Sequence, residues 1–443
     1  MPPVRYRSLV DEISACIHRG ELRPGDRLPT VRALMQQHGI ALATASRVMA
    51  ELAAAGLVVG EVGRGTFVRD ASLPRGSRLE QHPAGAGAGV IDLTFSYPTL
   101  PGQDGMLREG LRSLAASGDL DALLHAAPQG GRLHERQTLA RHLRNRGIRM
   151  PAEQVLIVNG AQQGLAVTVM ALLRPGDAIV MDALTYPGML ALARAHRLDI
   201  LALPQVAGQA DLDALARLCK RRPVRAIYTM PTMHNPLGSV MPEAARMQLV
   251  VLAERHDVLI IEDATYAFLA EPAPTPLVKL APQRTIYVSG LSKSVAAGLR
   301  VGLVAAPATM IARIEQAIRI STWQAPSVTT ALACLWIASG RVDALEDDKR
   351  ADARRRQALA RRLLRGCPFT AHPSSYYLWL PLAGGQRADQ VAAALKQDGV
   401  LVSTAEAFAA TTHVPQALRV ALGSVEPEAL SRALRKVRLA ASA

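Results

Sequence analysis

Between Val155 and Ala306 the chain alternates short apolar runs with stretches of helical periodicity, and this alternation narrows its possible folds more than any other feature. The runs are Val155–Val158, Ala178–Met181, Ile200–Leu203, Ala226–Met230, Val258–Glu262, Thr285–Val288 and Leu303–Ala306. Strands separated by helices in this order predict an α/β domain, with a mostly parallel sheet covered by helices on both faces. Ligands of such sheets sit outside the carboxyl ends of the strands. After about Pro326 the pattern changes to long helices and then to the short strand-like runs Tyr376–Leu380 and Leu418–Ala421, which suggests a smaller α+β lobe. No internal repeat is visible.

The rim predicted by that sheet carries a particular set of groups. Lys293 follows the run Thr285–Val288 and precedes a Gly-rich turn, with Arg300 seven positions on. Asp263, thirty residues upstream, ends the run that begins at Val258, and Asn235 lies just beyond Ala226–Met230. A lysine amine, a carboxylate and an amide on the ends of successive buried strands are what pyridoxal phosphate (PLP) requires. The lysine forms a Schiff base, and the acid keeps the pyridine nitrogen protonated so that the ring withdraws electrons. Any one of these side chains alone reads as a turn or helix cap. Together and in register they point to the cofactor.

The N-terminus has a different character. Val4 to Gly20 reads as a helix with Leu9, Ile13, Cys16 and Ile17 on one face. Pro24-Gly-Asp makes a turn, Thr30 caps a second helix containing Val31, Leu34 and Met35, and Gly39-Ile40 turns the chain sharply. A third helix runs from about Ala43 to Ala54, with Val48, Leu52 and Ala55 inward. Gly56-Leu-Val-Val and Gly63-Arg-Gly-Thr-Phe-Val68 then form two strands around a glycine hairpin. This is the pattern of a winged helix-turn-helix. Arg32, Thr44, Arg47, Arg64 and Gly65 fall on helices two and three and on the wing, where phosphate contacts are made. Residues 71–90, rich in Gly, Ala and Pro, read as a linker.

A chain of 443 residues with no uninterrupted apolar run of bilayer length and no apolar signal region is expected in the cytoplasm. Cys16, Cys219, Cys334 and Cys367 lack disulfide or metal spacing, so no metal is expected. The net charge of +14 is compatible with a nucleic-acid partner, although the basic runs Lys220-Arg-Arg and Arg354-Arg-Arg lie far from the helix-turn-helix. Arg354-Arg-Arg reads as a solvated helix face.

The motifs Pro24-Gly-Asp-Arg-Leu-Pro-Thr-Val-Arg32, Gly56-Leu-Val and Gly63-Arg-Gly-Thr-Phe-Val resemble the DNA-binding domain of the GntR family of regulators. The remainder resembles a fold-type I aminotransferase, and the fusion in this order resembles the MocR subfamily. The resemblance implies a DNA-binding domain over 1–70, and an aminotransferase-like effector domain over 91–443 whose small lobe lies mostly in 327–443. It also implies a head-to-tail homodimer on promoter DNA and no membrane partner. Carried over by motif, Lys293 is the Schiff-base lysine, Asp263 the partner of the pyridine nitrogen, and Asn235 and Tyr266 the hydrogen-bonders of the ring oxygen. Tyr186 stacks on the ring. Gly160, Ala161, Gln162, Ser292 and Arg300 form the phosphate site, and Arg419 grips a carboxylate. Three positions depart from the family pattern: Ala161 stands where a serine is usual, Gly290 where Ser or Thr is common, and His125 in the place of a tyrosine that reaches the partner subunit's phosphate. In the third helix, Ala41-Leu-Ala replaces a stretch usually rich in polar residues. The implied function is transcription regulation by an amine, an amino acid or PLP itself. The competing function is a working aminotransferase with a vestigial helix-turn-helix.

Overall fold

The computed structural model describes residues 4–61, 65–69, 90–116, 120–206 and 208–442. At the N-terminus, helices α1 (Val4–His18), α2 (Val31–His38) and α3 (Leu42–Ala54) precede the antiparallel strands β1 (Val58–Glu61) and β2 (Gly65–Val68). Leu9, Leu28, Leu34, Ala45, Val48, Leu52, Val58 and Val68 form their common core. Each fully buried Leu or Val there contributes about 1.5–3 kcal/mol. Thr30 caps α2 by accepting a hydrogen bond from the Ala33 amide at 3.2 Å, and Gly39 ends it in the left-handed region at φ 61°. Ala55 corrects the sequence reading. It lies past the end of α3 and is exposed, because the chain turns out at Gly56 before the helical face can continue inward. Gly25 and Leu28 bond to Val68 and Thr66, so the Pro24-Gly-Asp turn is stitched to the wing. Arg64, and the linker expected over 71–90 except Val90, lie outside the described residues.

The larger part is built on a seven-stranded sheet. Its strands are β3 (Val155–Val158), β4 (Ala178–Asp182), β5 (Asp199–Leu203), β6 (Val224–Thr229), β7 (Leu259–Asp263), β8 (Thr285–Gly290) and β9 (Gly302–Ala305), in the order β3-β9-β8-β7-β6-β4-β5. Only β9 runs antiparallel to its neighbours. β3, β4 and β9 are buried along their whole lengths, as strands covered on both faces must be. Every apolar run picked out from the sequence is one of these strands.

A second sheet, of three strands, joins β10 (Tyr377–Pro381), β12 (Ala417–Ala421) and β11 (Ser403–Thr404). The segment at Ile91–Asp92 pairs with Val400–Leu401 and delivers Leu93 into the core of this lobe. Residues just after the linker thus reach across to the C-terminal lobe, which carries Thr94 to Pro98 along the rim of the large sheet. The Arg354-Arg-Arg reading also needs correction. Arg356 is buried and bonds Asp352 at 2.7 Å and the carbonyls of Leu422 and Val425, so one arginine of the run locks its helix onto the lobe. Arg354 and Arg355 are exposed as expected.

Candidate cofactor site and nucleic-acid interface

β8 ends at Gly290 and passes at once into the short helix Leu291–Ser294, which sets Lys293 at the rim. The Lys293 amine donates to the Ser96 carbonyl at 2.6 Å and lies 4.4 Å from the Tyr97 ring and 5.6 Å from the Tyr266 ring. Burial, reinforced by the positive charges of Arg419, Lys349 and Arg300, pushes its pKa down to about 7. An uncharged amine is therefore accessible near neutral pH, the form that adds to a carbonyl.

Asp263 is the last residue of β7 and is buried. Its carboxylate accepts hydrogen bonds from the Tyr228 hydroxyl at 2.8 Å and from the Thr265 amide and hydroxyl at 3.0 and 2.7 Å. Burial raises its pKa, and the Thr265 and Tyr228 bonds oppose that shift. These donors orient the carboxylate. A cationic pyridinium partner would further favour the charged form.

Asn235 is buried and its amide oxygen has no hydrogen-bond partner. The preceding residues are anchored by the Tyr377 hydroxyl, which donates to the carbonyls of Met233 and His234, and by the His234–Asp182 pair at 3.2 Å. Tyr266 packs edge-on against Tyr377 with centroids 5.3 Å apart, and burial pushes its hydroxyl up to about 12. Tyr186 immediately precedes the helix Pro187–Ala195, its side chain making no capping bond to it. A Cβ on Gly188 would fall 2.5 Å from its ring, so only glycine lets that aromatic lie so close to the backbone. Burial raises the Tyr186 pKa as well.

The helix Gly160–Leu172 begins directly after β3, with Gly160 at φ 78°. A Cβ there would lie 2.9 Å from the Arg300 guanidinium, which itself donates to the Asn159 carbonyl at 3.1 Å. Helix amides and an arginine thus converge on one spot, as an anion site requires. Gln162 donates to the Gly188 carbonyl. One of the departures beside this loop, Gly290, has a packing cause. A Cβ on Gly290 would come within 3.2 Å of the Ala161 amide, so a larger residue at 290 would crowd the turn that holds Ala161.

Arg419, central in β12, is buried. It donates to the Thr94 carbonyl at 2.6 Å and lies 5.0 Å over Tyr377 and 5.8 Å over Phe408, while its Nε has no partner. Asn159, Gln162, Asn235 and Ser292 likewise hold buried polar atoms without partners. Such atoms are costly unless a polar ligand completes them. They lie along the rim that also carries Lys293 and Asp263, so the residues there fit a polar, anionic cofactor such as PLP. Sequence reasoning missed Ser96, Tyr97, Tyr228, Thr265 and Tyr377. Tyr228 and Tyr377 sit inside apolar strands, where a tyrosine reads as core, and Ser96 and Tyr97 reach the rim only through the pairing of Ile91–Asp92.

In the N-terminal unit Arg32 and Arg47 are exposed and Thr44 is half-buried. The Arg47 guanidinium lies 4.3 Å over the Tyr6 ring, which holds it at the surface of α3. Gly65, at φ 120°, leaves room for Arg27, whose Nε would be 2.8 Å from any Cβ there. Arg27 is an exposed cation at the base of the wing that the sequence reading did not include.

Comparison with known proteins gives this arrangement its family. Residues 89–437 match aminotransferase class I and II. The chain belongs to that family. Residues 5–68 match the gntR family of bacterial regulatory proteins. The chain is 27% identical to the HTH-type transcriptional regulator TauR of Rhodobacter capsulatus, over 98% of this chain and 95% of that protein. It is also 27% identical to the HTH-type pyridoxine biosynthesis transcriptional regulator PdxR of Corynebacterium glutamicum, over the same shares. Among solved structures, kynurenine aminotransferase of Pyrococcus horikoshii superposes with a TM-score of 0.75 at 22% identity, covering 80% of this chain and 91% of that one. With the gntR unit fused to the aminotransferase fold, this is a PLP-dependent transcription regulator, an arrangement consistent with the MocR subfamily.

Proposed function

We propose that this regulator responds to an amine bearing a carboxylate, held between Lys293 and Arg419. The observation that carries the reading is the buried Arg419 with an unpartnered Nε, in the same aromatic cluster as the Lys293 amine. When bound, PLP supplies an aldehyde that condenses reversibly with amines and a ring that withdraws electrons. The chain's own residues do the rest. Asp263, fixed by Tyr228 and Thr265, holds a proton on the pyridine nitrogen, and Asn235 and Tyr266 bond the ring oxygen. Tyr186 covers one ring face, while Gly160, Ala161, Gln162, Ser292 and Arg300 hold the phosphate. Arg419 gives the effector's carboxylate a paired, charge-assisted contact.

Two copies complete the assembly. Leu107, Leu111, Leu120, Leu124 and Val328 are exposed on helices that pack against one another, an apolar face suited to a second copy. His125, exposed next to Leu124, would then approach the partner's phosphate site. A head-to-tail pair, acting in the cytoplasm, brings two winged units to paired half-sites on promoter DNA. α3 enters the major groove with Thr44 and Arg47 near its start, Arg32 contacts phosphates, and the wing, with Arg64 and Gly65, approaches the backbone or the minor groove.

The test is binding of labelled promoter DNA by the PLP-loaded protein, with and without a panel of amino acids and simple amines. A carboxylate-bearing amine should shift the affinity, and Arg419→Ala should remove that shift. If PLP alone changes DNA binding and no amine adds to it, the reading changes to a sensor of the cofactor, as the likeness to the pyridoxine regulator would suggest. Equal affinity for promoter and unrelated DNA under every condition would leave the competing aminotransferase reading.

A further inference from the structure

Behind Lys293 lies a second lysine that none of the roles above uses. Lys349, on the helix Arg341–Leu363, has no exposed surface at all. Its ammonium donates to the carbonyls of Pro98 at 2.9 Å, Lys293 at 3.1 Å and Val295 at 2.7 Å. A lysine ammonium has three protons, and here each has a carbonyl acceptor. A buried charge of this kind is rare unless it is fully hydrogen-bonded.

We propose that Lys349 is a positioning residue for Lys293, its buried ammonium joining the Lys293 turn to the Ser96–Pro98 segment that receives the Lys293 amine. The inference rests on the Schiff-base role read for Lys293 and concerns how that amine is held.

The three carbonyls belong to two strips of chain that are remote in sequence. One strip is the turn itself, through Lys293 and Val295. The other is the segment whose Ser96 carbonyl accepts from the Lys293 amine and whose Tyr97 ring lies against it. A single ammonium therefore sets both the backbone from which Lys293 projects and the wall its amine touches. Lys349 is in turn fixed by its surroundings. The Tyr376 hydroxyl donates to the Lys349 carbonyl at 2.9 Å and to Asp352 at 3.0 Å, and Asp352 also accepts from Arg356. The groups bearing on the Lys293 amine are Arg419, Arg300 and Lys349, and those bearing on Lys349 are Asp352 and Glu346. While protonated, Lys349 thus adds positive charge behind Lys293 and favours its uncharged form. An apolar residue could fill the same space, but it could neither bridge the carbonyls nor supply that charge.

The experiment uses the full chain, Lys349→Met and Lys349→Arg. Each protein is stripped of cofactor, incubated with PLP across a pH series and trapped with borohydride, and the pyridoxyl label on Lys293 is quantified by mass spectrometry. The Met variant should label Lys293 at least about threefold less at pH 7, with the profile displaced to higher pH, because a charge behind the amine has been removed. The Arg variant, which keeps the charge, should lie nearer the wild-type profile. A Met variant that melts lower but labels Lys293 along the wild-type pH profile would reduce Lys349 to a structural anchor and overturn the proposal. If no protein, including wild type, labels at Lys293, the Schiff-base reading itself fails, which is a different result. Should the Met variant not fold, hydrogen exchange on the wild type decides. Segments 94–100 and 291–296 should open together, and independent opening would overturn the bridge.

Discussion

At the scale of single residues, the charge on Lys293 is the quantity that the site controls. The folded amine titrates near 7, against 10.5 for an unperturbed lysine. Between these values the unfolded chain holds more protons than the folded one, so stability of the cofactor-free protein rises with pH. Lys349, also pushed down to about 7 by burial, contributes in the same direction. Lys293→Met should therefore flatten the gain in stability between about pH 7 and 9, measured by urea unfolding at each pH. An unchanged slope would mean that the amine is not desolvated in the folded state. Arg419→Ala should weaken a carboxylate-bearing effector by about 1.5–3 kcal/mol, the range for a hydrogen bond to a charged group, while leaving PLP binding intact. Titration calorimetry on the PLP-loaded protein measures both. Loss of PLP binding in this variant would move Arg419 from the effector to the cofactor.

At the scale of elements, the phosphate loop depends on how closely β9 and β8 approach the start of the helix Gly160–Leu172. A Cβ on Gly302 would lie 2.7 Å from the Gly160 carbonyl carbon and 2.9 Å from the Ala161 amide, both backbone atoms. Gly302→Ala must push the helix start away, costing about 1–3 kcal/mol as overpacking and weakening PLP binding. Gly105, inside the helix Gln103–Ala116, has nothing within 4 Å of where a methyl group would stand, and its replacement by alanine should be neutral or slightly stabilising. Equal effects of the two substitutions on PLP affinity would refute the packing account. In the N-terminal unit, Thr30→Ala removes the α2 cap and should cost about 1 kcal/mol. DNA binding should weaken with it while the visible absorption of bound PLP stays unchanged.

At the scale of the whole molecule, the two units touch where the wing meets the C-terminal lobe. Arg69, at the end of the wing, pairs with Glu406 at 3.0 Å, and the Arg387 guanidinium lies 4.6 Å from the Phe67 ring. Glu406 belongs to the turn Ala405–Phe408, whose Phe408 lies against Arg419 and accepts the Thr185 amide next to Tyr186. An effector bound at Arg419, as proposed, has a short contiguous route to the wing, and substitution along it tests for coupling. Glu406→Gln should reduce the effector's influence on DNA affinity without altering effector binding, as fluorescence anisotropy would report. An undiminished influence would discard the route. Arg47→Ala should lower the salt slope of DNA binding by about one for each phosphate it no longer neutralises, equally on promoter and unrelated DNA.

The sequence alone located the strands of the large sheet to within about two residues, because buried strands must be continuous apolar runs and ligand groups must follow them. It also placed Lys293, Asp263 and Asn235 on one rim, since each stands at or soon after such a run. The N-cap at Thr30 and the turn at Gly39 were equally legible, because caps and left-handed turns are local. What it could not show was which segments distant along the chain would meet. Tyr97 meets Lys293 only because Ile91–Asp92 pairs with Val400–Leu401. Arg356 reads as solvated until its helix packs on the lobe, and nothing local in the sequence singles out Lys349. Its meaning comes from carbonyls about fifty and two hundred and fifty positions away, which only the tertiary fold brings within hydrogen-bonding distance of one ammonium.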